Sequence, residues 1–196
     1  MAKILDIHLP NNITNALSRE LGSDKTREFT MSDGGYILPR GYLSVLLQEC
    51  AAALDAQTLG IFNGETWKYN VSMIDDDPLG QNRDLHNGDS DRLTLNVSSL
   101  SAAKKSARAG TVCIIDDDND AINALEDDPI CEIIEGVVPT LTRVAIDRMG
   151  LKRSDSALPT IIQPDDGQCV RFGGIDFHAA APLPQGTIKA FFSKLI

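Results

Sequence analysis

The sequence predicts an α/β or α+β fold: a mixed sheet with interspersed helices and a helical N-terminal third. Three observations lead there. Apolar residues recur at helical spacing through the first 60 positions. Alternating apolar positions take over after Gly60, and short apolar runs then interleave with helix-like segments. At 196 residues the chain is long enough for a single compact domain, 1–196. Within it, a helical N-terminal region, 1–60, precedes a mixed α/β body, 61–196.

Taken in order, Asn12 is placed to cap a helix over Ile13–Leu21, where Ile13, Ala16, Leu17 and Leu21 share a face and Gly22 ends the run. Ser23–Gly35 is polar and reads as a loop or arm. Gly41–Leu59 is the longest helix candidate, with Leu43, Leu46, Leu47, Cys50, Ala51 and Leu54 on one stripe. The run Ala51–Ala53 favours helix and permits close packing against a neighbour. Trp67, Tyr69, Val71 and Met73 alternate, as do Leu93, Leu95 and Val97, so both segments read as strands with one buried face.

Further on, Ser101–Arg108, Ala121–Leu125 and Leu141–Met149 read as helical. Thr111–Ile115, Thr160–Ile162, Val170–Phe172 and Ile175–Phe177 read as short strands, with Gly173-Gly174 as a hairpin turn between the last two. The C-terminal segment Thr187–Ile196 reads as an amphipathic helix that gathers Ile188, Phe191, Phe192 and Leu195 while Lys189 and Lys194 stay wet. So apolar a segment is expected to dock on the body of its own chain.

Composition narrows the function classes. Acidic residues outnumber basic ones 28 to 18, for a net charge of -10, which argues against gripping phosphate backbones. A hydrophobic content of 42% is too high for a disordered acidic tail. The N-terminus has no apolar run of signal-peptide length, and no stretch is long enough to span a membrane. Synthesis in the cytoplasm is therefore expected, a virion component also fits, and no membrane partner is. The four cysteines, Cys50, Cys113, Cys131 and Cys169, form no CxxC pair and read as buried free thiols.

The most suggestive pattern is acidic. Val71-Ser-Met-Ile runs into Asp75, Asp76 and Asp77, and Val112-Cys-Ile-Ile runs into Asp116, Asp117 and Asp118. A weaker echo, Ile161-Ile-Gln-Pro, runs into Asp165 and Asp166. Ligands gather beyond the C-terminal strand ends of parallel sheets. On that geometry Asp75, Asp77, Asp116 and Asp118 are the candidate metal ligands, offering carboxylate oxygens suited to Mg²⁺. The segment VCIIDDDNDAINALEDD resembles the first strand and acidic turn of bacterial receiver domains, which would make Asp116 and Asp117 the Mg²⁺ ligands. That resemblance also requires a later phospho-accepting Asp and a Lys on strand ends; Asp147, Asp165 and Lys189 do not follow the strand runs it needs.

Asp116, Asp118, Asp120 and Asp127 match part of an EF-hand loop, but Ala121 stands where the turn requires Gly and Asp127 where Glu is usual. Asp84, His86, Asp89 and Asp91 form a second hard-metal loop candidate around Gly88. His8, His86 and His178 make no HxH or HExxH pair, and no GxSxG, Walker A or GxGxxG motif occurs. No catalytic residue and no cofactor is assigned on this basis. Arg92, Lys104, Lys105 and Arg108 form an acid-free basic block, and Arg143, Arg148, Lys152 and Arg153 a second; either would suit an acidic surface on another copy.

The leading expectation is a noncatalytic assembly or protein-interaction component, homo-oligomeric or part of a viral particle, with nucleic acid disfavoured. One alternative is a divalent-metal-dependent phosphotransfer or hydrolase enzyme using the strand-end carboxylates. Another is an acidic nucleic-acid-mimic inhibitor.

Overall fold

The computed structural model describes residues 2–28, 36–74, 90–101, 108–115, 160–173, 176, 178–181 and 183–196. In chain order its elements are β1 (Lys3–His8), α1 (Asn11–Leu21), α2 (Asp24–Arg27), β2 (Tyr36–Ile37), α3 (Gly41–Thr58), β3 (Lys68–Met73), β4 (Arg92–Ser98), β5 (Val112–Ile115), β6 (Thr160–Ile162), β7 (Gln168–Phe172), β8 (His178–Ala179) and β9 (Ile188–Leu195). Two sheets result. The larger has the order β1-β7-β4-β9-β3-β2 and the smaller β6-β5-β8. Every pairing is antiparallel. Among the described strands from β4 onward, the chain alternates between the sheets as large, small, small, large, small, large.

The mixed α/β expectation holds, but the N-terminal third is not purely helical. β1 pairs with β7 and β2 with β3, so both ends of the large sheet come from the first 37 residues. The strand β1 is hidden in sequence because Asp6 and His8 break its apolar pattern on the solvent side. The helix α1 starts at Asn11 with Pro10 as N-cap and no side-chain cap, so Asn12 lies in its first turn rather than at the cap. Proline fits there because a first-turn N–H has no intrahelical partner anyway. Within the expected Ser23–Gly35 loop, Ser23 caps the short α2 by accepting from the Thr26 N–H at 3.3 Å.

The helix α3 follows its predicted stripe. Leu43, Leu46, Leu47, Cys50, Ala51 and Leu54 are all buried, and Gly60 turns the chain away at φ +73°. Asp55 accepts from the Trp67 N–H and Thr58 Oγ1 from the Trp67 indole, each at 3.1 Å, which ties the entry of β3 to the end of α3. The core sits between these helices and one face of the large sheet. Leu17, Leu21, Leu47 and Leu54 meet Val71, Leu93, Leu95, Val97, Cys169, Ile188, Ala190 and Phe192 there.

The C-terminal segment is a strand, not a helix. β9 occupies the interior of the large sheet, bonded on one side to β3 and on the other to β4. Its burial alternates strictly, with Ile188, Ala190, Phe192 and Lys194 on the core side. The spacing of Ile188, Phe191, Phe192 and Leu195 fits a helix equally well, and two waiting strand edges decide between the periods. The expected docking on its own body is met. Neither lysine is simply wet: Lys194 is 7% exposed and donates to the Glu65 carbonyl at 2.6 Å, and Lys189 is pulled toward the neutral form by burial.

Of the expected Gly173-Gly174 hairpin, Gly174, Ile175 and Phe177 lie outside the described residues; β7 belongs to the large sheet and β8 to the small one. Between the sheets, the third acidic echo is a clamp. Asp166 accepts from the Ser98 N–H at 2.8 Å, the Ala109 N–H at 2.5 Å and the Ser101 hydroxyl, while Asp165 pairs with Arg108 at 2.9 Å. Arg108 of the basic block is thus engaged within its own chain. Gly167 (φ +80°) closes this corner, and a Cβ there would lie 2.4 Å from Thr14 Oγ1.

Candidate functional site

The two faces of the large sheet differ in chemistry. On the helix side the strands contribute apolar side chains; on the reverse they contribute Asn70 and Ser72 from β3, Thr94, Asn96 and Ser98 from β4, and Lys189 and Ser193 from β9. The small sheet meets this reverse face at β7, where Val170 and Phe172 pack with Ala2 and Cys113. Thr111 reaches the same face: the hydroxyls of Thr94 and Thr111 lie 3.2 Å apart and Asn96 Nδ2 donates to Thr111 at 3.5 Å. A sheet face turned toward a second sheet is ordinarily apolar. This one mixes Phe191, Val170 and Phe172 with the polar groups.

Lys189 lies directly between Ser72 on β3 and Ser98 on β4. Desolvation lowers its pKa from the ordinary 10.5, and among the described residues no carboxylate forms an ion pair with it. Burying a lysine without a counter-charge is costly. Such a residue is a natural receptor for an incoming anion.

At the end of β7 a second group gathers. The His178 ring stacks on Phe172 with centroids 4.2 Å apart, and its Nδ1 lies 3.0 Å from the Asp176 carbonyl oxygen. His178 is opposite Cys113 across the strand pair, and Phe172 is opposite Arg92, the first residue of β4. Gly173 lies between two acids: its N–H donates to Asp176 at 2.6 Å, and a Cβ added there would be 3.1 Å from Asp91. Arg171 donates to Asp91 at 3.2 Å. The Cys113 thiol is pushed up to about 12 by burial, with the Asp176 charge adding to the shift. Cys50 and Cys169 are likewise held near 12 chiefly by burial, so the three described cysteines are buried free thiols, as the sequence suggested.

Asp75, Asp77, Asp116 and Asp118, the predicted metal ligands, lie outside the described residues, as do Asp84, His86, Asp89, Lys104, Lys105 and Cys131. The strands leading to the two triads, β3 and β5, belong to different, antiparallel sheets. The parallel-sheet premise for joining their ends is therefore gone. Among the described residues no group of three His, Cys, Asp or Glu side chains is placed to hold a metal ion. Sequence reasoning placed Asp91 in the second hard-metal loop candidate, assigned His178 no role, and missed Lys189 as a site residue. The only signal for Lys189 was a lysine inside an apolar run.

No family model matches the chain, and no curated protein matches it. Among solved structures it is similar to a prolyl-4-hydroxylase of Pseudomonas putida, at 13% identity and a TM-score of 0.44, over 99% of this chain and 91% of that one. A likeness that loose assigns no family. No helix among the described residues is long and apolar enough to cross a membrane.

Proposed function

We propose that the chain is a divalent-metal-dependent enzyme that takes a small anionic substrate on the reverse face of its large sheet. The observation that carries the proposal is Lys189, a partly buried lysine with no ion-pair partner among the described residues, standing between Ser72 and Ser98 on the reverse face of the large sheet. Sites of this kind combine a mostly buried position with a few polar groups that orient the ligand.

His178 is a metal-ligand type beside this face, its ring held against Phe172. Asp91, paired with Arg171, immediately precedes β4, whose first residue Arg92 stands opposite Phe172. Histidines with a carboxylate suit iron(II) or manganese(II) better than magnesium, and with open positions they are the donor set of non-haem iron oxygenases. An oxidative reaction stands beside phosphoryl transfer as the second reaction class. In this scheme Lys189 holds one anionic end of the substrate, and Phe172 fixes the imidazole plane. The noncatalytic assembly reading draws on no side chain of this site.

Calorimetry on the full chain tests the proposal, with Mn²⁺ first and then succinate, a 2-oxo dicarboxylic acid and inorganic phosphate as anions. Stoichiometric Mn²⁺ binding is expected, weakened at least tenfold by His178→Ala, with anion binding abolished by Lys189→Met and metal binding retained. Oxygen uptake with iron(II) and the oxo acid, against phosphate release from a phosphoester, separates the two reaction classes. A chain that binds neither metal nor anion would overturn the proposal.

A further inference from the structure

The outer face of α3 carries a second apolar stripe with no partner among the described residues. Tyr42, Val45, Glu49, Ala52, Ala56 and Leu59 are all exposed, at spacings of three and four residues, and they lie opposite the buried stripe. Tyr42 is 60% exposed, Val45 50% and Leu59, at the C-cap, 83%. Leu38 and Ile61 are exposed just beyond its two ends, so five of the eight large exposed hydrophobics among the described residues lie on α3 or beside it in sequence. A helix apolar on both sides normally sits between two neighbours. Among the described residues, α3 packs on α1 and on the sheet through its buried stripe alone.

The stripe is self-complementary. Reversed about its midpoint, between Cys50 and Ala51, it returns onto itself: Tyr42 exchanges with Leu59, Val45 with Ala56, and Glu49 with Ala52. A two-fold axis through that midpoint sets an identical helix antiparallel on top of it, with each large residue facing a small or complementary one, as an isologous interface requires. The two alanines allow the close approach that helix pairs need at their crossing. Length fits as well: 18 residues span about 27 Å, and two such helices with Leu38 and Ile61 bury on the order of 1,000 Å² in total, the lower end of specific interfaces.

We infer that α3 pairs with α3 of a second copy of this chain in an antiparallel, two-fold dimer of moderate affinity. The stripe holds one charged residue, Glu49, so attraction comes from apolar contact while the net charge of -10 opposes it. Added salt should therefore tighten the dimer. Association between acidic and basic blocks would loosen instead.

Sedimentation velocity of the full chain across a hundredfold concentration range tests this. A monomer–dimer equilibrium in the micromolar range is expected, at least tenfold weaker in Val45→Arg and in Ala56→Arg, with melting temperature unchanged because both side chains lie outside the core. The register has its own readout: an equimolar mixture of Glu49→Cys and Ala52→Cys chains should form a mixed disulfide, while Tyr42→Cys alone, about 25 Å from its own symmetry mate, should not. A strict monomer at every concentration would sink the inference, even if the patch bound a vesicle or another protein. So would a dimer indifferent to both arginines, or one that salt dissociates.

Discussion

The two faces of the large sheet are built from the same strands, yet they obey different rules. Toward the helices, Val71, Leu95, Ala190 and Phe192 form a continuous apolar layer under α1 and α3. On the other side, one residue along each strand, the chain places Ser72, Thr94, Asn96 and Lys189. The first face follows from burial, which stabilises by roughly 25 cal/mol per Å² of apolar surface. The second does not, since a buried ammonium without a counter-charge opposes folding.

That contrast breaks most visibly at Phe192. Fully buried and tilted against Tyr69, it should cost about 3–5 kcal/mol on replacement by alanine, enough to unfold much of the population; denaturant titration reads the loss. Next comes the clamp at the edge of both faces. Asp166→Asn keeps the shape but loses the charge that holds two N–H groups and a hydroxyl, and a loss of about 2 kcal/mol is expected by the same measurement.

Lys189→Met should move the other way, leaving stability unchanged or raised while removing anion binding. Its pH dependence sharpens the test. The unfolded chain keeps the ammonium up to 10.5, and the folded chain releases the proton at lower pH. The unfolded state then binds more protons, so the lysine's penalty shrinks as pH rises through the folded value toward 10.5, and the methionine variant lacks that rise.

The smallest effects belong to the thiols and the surface. With Cys50, Cys113 and Cys169 held near 12, alkylation at pH 8 should be negligible until denaturant is added. For these acids the raised pKa supports the fold below the ordinary 9.0, and that support is lost as pH climbs from 9.0 toward 12. Removing the exposed Lys68–Glu65 pair through Lys68→Ala should change stability by less than about 1 kcal/mol.

What the sequence revealed tracks how local the deciding force was. The helix α3 was legible because seven buried positions share one period and Gly60 supplies the left-handed turn. The strands β3 and β4 were legible because Val71, Leu93, Leu95 and Val97 alternate without interruption. β9 was not, since Ala190 and Lys194 sit at its inward positions and dilute the alternation, while Phe191-Phe192 fits either period. Antiparallel pairing was invisible because partners lie far apart: Lys3 meets Arg171, and Met73 meets Ile188. The site failed for the same reason. His178 and Arg92 become neighbours only through Phe172, and Lys189 acquires meaning only once Ser72 and Ser98 stand on either side of it.

The position of β9 bears on how the molecule assembles in time. It lies between β3 and β4 in space but follows both by about a hundred residues of chain, so the large sheet cannot zip from one end. Until β9 arrives, two strands present bare hydrogen-bonding edges to each other and to any neighbour. Loops of that length close slowly, and folding in the millisecond-to-second range is the expected consequence. The open slot is also a receptor. At high concentration the β9 of a second chain fits it as well as the chain's own, making strand exchange the characteristic misfolding route of this topology.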